Sequence, residues 1–166
     1  MQLSDFPLQP GNHFVAMEYH TLILNRTLLI LLTEGHLIGV VANGVVSAEA
    51  RPDPVSSAIT SRLAIHGDLH DPLSYLREKY LAKVKGVDLL GPGLLASDKA
   101  NFCAPYGEIS EVTHDPSKKW GMSYYPHDGK VYVTTSRRKR EFIVLGSQSG
   151  SAITEWLLQR TGSGRS

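Results

Sequence analysis

The chain has 166 residues and a mass of 18.2 kDa, the length of one ordinary domain. With 42 % apolar and 20 % charged residues it can build a core, which excludes wholesale disorder and a disulfide-stapled scaffold. Its net charge of +1 is far below that of a domain made to neutralise many phosphates, so nucleic acid is not the expected partner.

Residues 1–12 hold two prolines and a glycine and read as a flexible leading tail, with neither the positive region nor the apolar stretch of a signal peptide. A single domain is expected over 13–160, followed by a flexible tail over 161–166. From His13 to Val46 the pattern is that of strands. Leu28–Leu32 and Leu37–Val41 are short apolar runs joined by Thr33-Glu34-Gly35-His36, which predicts a β-hairpin. Asn25, Arg26, Glu34 and His36 interrupt the apolar region, so two buried strands are expected rather than a membrane span.

Residues 47–100 change character. Arg51-Pro52-Asp53-Pro54 breaks regular structure, and a loop continues to Ser61. Asp71 is a good N-cap, and Pro72 suits the first helical position. Leu73, Leu76, Tyr80, Leu81 and Val84 form one helical stripe ending at Gly86, which predicts a helix over 72–85. Strands are then expected at Asn101–Tyr106, Ile109–His114 and Trp120–Tyr125. Pro126-His127-Asp128-Gly129 reads as a hairpin turn, and Lys130–Thr135 and Arg140–Leu145 alternate as strands do. Ser149 or Ser151 can cap a final helix with Ile153, Trp156 and Leu157 on one face.

Two groups of strands followed by one C-terminal helix resemble the pleckstrin-homology-like (PH-like) barrel of bacterial proteins. Three stretches carry the likeness: Asn25–Gly39 as an opening hairpin, Tyr106–Val112 as a strand entered after a polar turn, and Gly129–Thr135 with Arg140–Gly146 and the helix as closing hairpin and cap. The resemblance implies an α+β fold: a PH-like β-barrel or half-barrel with a C-terminal capping helix anchored by a residue such as Trp156, and one inserted helix. The segment 47–100 is longer than the connection in a minimal member, hence a helical insertion. The resemblance further implies a scaffold for binding rather than catalysis.

Candidate sites follow from the residues. Arg137, Arg138, Lys139 and Arg140 make the densest charge run; with Lys118 and Lys119 they are candidates for contact with an anion or an anionic membrane. Trp120, Met122, Tyr124 and Tyr125 gather residue types enriched in interface cores and are the candidate partner surface. His66, Asp68, His70 and Asp71 crowd together, but Gly67 and the start of a helix favour a loop over a metal-ligand face. Cys103, the sole cysteine, with His114 would be a conceivable nucleophile–base pair. A small buried hydrophobe is the simpler reading of Cys103, and a lone cysteine suggests a reducing, cytoplasmic setting. No cofactor motif is read, because Gly91-Pro92-Gly93 lacks the following Gly-Lys-Ser/Thr of a phosphate loop. The expectation is a non-enzymatic module that binds a protein or peptide or self-associates. Second comes a peripheral anionic-membrane or phosphoinositide module, and third a small metal-dependent hydrolase.

Overall fold

The structure is a computed structural model, and it describes residues 1–19, 25–44, 67–122 and 125–162. Seven strands form one antiparallel sheet: β1 (His13–Tyr19), β2 (Asn25–Leu32), β3 (His36–Asn43), β4 (Phe102–Pro105), β5 (Ile109–Asp115), β6 (His127–Thr135) and β7 (Lys139–Leu145), in the order β4-β3-β2-β1-β7-β6-β5. The sheet is curled into a half-barrel. In a flat sheet β4 and β7, four strand spacings apart, would be separated by about 19 Å. Yet the rings of Phe102 on β4 and Phe142 on β7 are 6.0 Å apart, centre to centre. The fold is α+β, as expected.

Both faces of the central strands are covered, which explains their nearly unbroken apolar runs. Phe14, Leu28, Ile30, Val131, Phe142 and Val144 point to the concave side. There they meet Ile153 and Leu157 of the C-terminal helix, Gly150–Gly162. Val15, Met17, Leu29, Leu31, Ile38 and Ile143 point to the convex side, under Tyr75, Val84, Leu89 and Leu94 from the segment after residue 67. Period-two alternation therefore feeds two cores at once. The anchors of the C-terminal helix are Ile153 and Leu157, both fully buried. Trp156 packs against the same core but is only partly buried, with its ring beside Gly11, so it is a lesser anchor than expected.

Three local expectations are corrected. The stripe over 72–85 is not one helix: Asp71 does cap a 3-10 turn, Pro72–Tyr75, but Leu76 and Arg77 are extended. The Arg77 N–H donates to the carbonyl of Ala42 on β3 at 2.8 Å, so its partner lies on the sheet and not in a helix. Only then come α1 (Glu78–Leu81) and a 3-10 turn, Ala82–Val84; a further short helix, α2, spans Gly93–Ser97. The C-terminal helix is α3. Trp120–Tyr125 is not a strand where it is described. Gly121 takes a left-handed φ of 86°, and the loop folds over to bury Met122 and Tyr125 in the convex core. Asp128-Gly129 is no hairpin turn either: it lies inside β6 at a bulge, opposite the end of β5. A side chain at Gly129, whose φ is 64°, would collide with the Asp115 carbonyl. The loop expected at 51–61 lies outside the described residues.

Candidate functional site

The two ends of the sheet differ. At the β5–β6 side α3 closes the concave face, fixed at its start by Asp128, whose carboxylate accepts the Gly150 N–H at 2.7 Å. Ser149 caps the same turn through the Ala152 N–H. Away from α3, β4 and the β6–β7 turn line a groove of about 570 Å³. That size lies within the range of ligand pockets.

The groove is built by alternation. Phe102 and Ala104 on β4, Val133 on β6 and Leu37 on β3 belong to the concave side and form its apolar floor, and Leu94 of the convex core also lines it. One wall is the segment before β4, where Leu90 and Leu95 are half exposed, at 50 % and 55 %. The opposite wall is the basic turn. The floor depends on Gly39, paired with Phe102 across β3 and β4: a Cβ there would overlap the Phe102 ring.

The four cations of the turn do not act as one patch. Strand alternation sends Arg140 inward with Phe142, and Lys139 outward, over the ring of Tyr132 at 4.7 Å. The Arg140 guanidinium lies 3.8 Å from the centre of the Phe102 ring, a cation–π stack. From one nitrogen, Nη1, it donates to both carboxylate oxygens of Glu18 on β1, each at 2.9 Å. Its side chain is 11 % exposed, and burial pushes its pKa down while Glu18 opposes the shift. Arg138 reaches the same Glu18 at 3.7 Å, and Arg137 approaches Glu108 at 3.7 Å. Lys99 also lines the groove and is exposed.

The remaining candidates are dispersed. Lys119 lies on the convex side, bound to Glu141 at 2.6 Å and over the Tyr19 ring, and Lys118 is exposed in the same loop. Trp120 is 88 % exposed, whereas Met122 and Tyr125 are buried, Tyr125 against Tyr75; Tyr124 lies outside the described residues. Cys103 and His114 are not brought together. Cys103 packs on the convex core, where burial pushes its thiol pKa up, and His114 faces the start of α3 with Nε2 at the Asp128 carbonyl. His66 lies outside the described residues, and Asp68 and Asp71 each accept a nearby backbone N–H. Among the described residues no three His, Cys, Asp or Glu side chains are placed to hold a metal ion. A smaller hollow of about 210 Å³ lies between β5 and the end of α3.

Glu18, Phe102, Lys99, Leu90 and Leu95 were not singled out from the sequence. Glu18 carried a signal: counting by twos from Phe14 and Ala16 puts it on the face that holds the concave core, where a carboxylate requires a cation. Compared with known proteins, the chain matches no family model, no curated protein and no solved structure.

Proposed function

We propose that this is a PH-like binding module that holds a segment of a partner protein in the groove between β4 and the β6–β7 turn. The observation that carries the reading is the groove itself: an apolar floor on the sheet, with half-exposed leucines on one wall and arginines on the other. Charge complementarity selects the occupant. Among the described residues, Lys99, Arg137, Arg138 and Arg140 line the groove against Glu108 as the one lining carboxylate, with Glu18 paired to Arg140 and Arg138, so cations remain in excess and the fitting segment is apolar and acidic.

Side chains rather than strand addition would hold it. β4 is four residues long and ends in Pro105, which has no N–H to offer, and β5, the other edge, is bulged and carries Glu111 and Asp115. Such edges are poor templates for another strand, which also weighs against self-association by edge pairing. The division of Lys139 from Arg140 between the two faces weighs against a single membrane-binding patch.

The test is selection of a displayed library of random twelve-residue peptides against the intact protein, with Leu95→Asp as counter-screen. Leu95 is a half-exposed wall residue, so this variant should fold normally. Acidic, leucine-containing peptides that lose at least tenfold in affinity for the variant are expected. Selected peptides that bind both proteins equally would overturn the reading.

A further inference from the structure

Arg140 is a nearly buried cation whose hydrogen-bonding capacity is only partly used. A guanidinium carries five N–H donors. Glu18 engages Nη1 alone, and among the described residues no protein acceptor meets Nε or Nη2. Among the described residues Glu18 is the one carboxylate paired with Arg140 and Arg138, so this cluster keeps one positive charge in excess where it borders the groove. The Phe102 ring, 3.8 Å from the Arg140 guanidinium, and the contact to Glu18 restrain that group, which lowers the ordering cost of a bidentate contact.

We propose that the groove contains a carboxylate subsite: an Asp or Glu side chain of the bound segment is received by the unused donors of Arg140 and by Arg138. This rests on the reading of the groove as a protein-binding site and names the group it recognises. Glu18 has two roles there. It holds Arg140 in place, and it competes with the incoming carboxylate for the same positive charge. Arg138, more than half exposed and 3.7 Å from Glu18, is free to turn from one carboxylate to the other.

Isothermal titration with capped ten-residue peptides tests this, one of alternating leucine and glutamate, one of alternating leucine and glutamine. The glutamate peptide should bind the wild type at least tenfold more tightly than the glutamine peptide. Arg138→Gln should lower that affinity at least fivefold, with the melting temperature nearly unchanged because the side chain is exposed. Glu18→Gln should raise it at least threefold, and the glutamate peptide should raise the melting temperature of that variant more than that of the wild type. Should Glu18→Gln not fold, the Arg138→Gln result decides alone. Equal binding of the two peptides, or no change in Arg138→Gln, would overturn the subsite. If the glutamine peptide binds and Leu95→Asp abolishes that binding, the groove reading survives without the subsite. A third peptide with phosphoserine at one glutamate position separates the sources of negative charge: binding of that peptide alone would overturn the proposal in favour of a phosphate. Absence of binding by all three would overturn it outright.

Discussion

Removing the charges of the Glu18–Arg140 pair singly and together gives stability changes that should be strongly non-additive. Both side chains are close to fully buried, 9 % and 11 % exposed, and joined by two 2.9 Å contacts. Breaking a buried pair from one side costs about 3–5 kcal/mol, because the survivor stays desolvated without its partner. The two sides are not equal here. After Arg140→Met, Glu18 keeps Arg138 at 3.7 Å, so the loss should fall to about 2–3 kcal/mol. After Glu18→Leu two arginines face each other with no carboxylate between them, and the loss should be about 4–5 kcal/mol. The double variant removes both charges and leaves a methionine against Phe102 and a leucine beside it on the concave face, so it should lie within about 2 kcal/mol of the wild type. Urea unfolding of the four proteins measures the cycle. A double variant whose loss equals the sum of the single losses within about 0.5 kcal/mol would refute the reasoning, because independent sites add in that way.

Leu157→Ala should destabilise by about 2–5 kcal/mol and Trp156→Ala by less, since Leu157 is fully buried and Trp156 only partly; the reverse order in urea would mean that α3 is docked by its tryptophan. Gly129→Ala combines a left-handed φ of 64° with collision against backbone and should cost about 3 kcal/mol or more, whereas Gly107→Ala, with open space around it, should change stability by less than about 0.5 kcal/mol. Asp115 is held well below the usual carboxylate range, first by its hydrogen bond to Lys130 and then by Ser117. Its folded pKa lies below the unfolded value, so its contribution is present above about pH 4 and is lost as the pH falls below that. Asp115→Asn should therefore flatten the acid limb of stability against pH, and an unchanged limb would exclude the Asp115–Lys130 contact from acid unfolding.

How much of this was legible in the sequence depended on whether a signal was local. Leu28–Leu32, Gly35 and Leu37–Val41 specify their hairpin by composition and spacing, and the Ile153–Leu157 stripe with Ser149 specifies α3. The stripe from Leu73 to Val84 was equally local and misled, because the bond from Arg77 to Ala42 comes from a strand more than thirty residues away and splits the helix. Asp128-Gly129 has the chemistry of a turn, but the carbonyl of Asp115 on the neighbouring strand makes it a bulge. The basic run was visible as charge. That alternation would turn Arg140 inward and Lys139 outward was also there to be read, once Arg140-Glu141-Phe142 was taken as a strand with Phe142 in the core. The groove was not readable, because it is assembled from β4, the segment before it and a turn more than thirty residues later. Only the curl of the sheet brings these together.

The most direct measurement is an amide chemical-shift titration of the isotope-labelled protein with the alternating leucine–glutamate peptide. Saturable shifts should concentrate at Leu90–Leu95, Phe102–Glu108 and Arg137–Arg140, three segments that supply much of the groove's lining. Saturable shifts confined to the loop around Trp120, or to β5 and the end of α3, would contradict the assignment of the binding site.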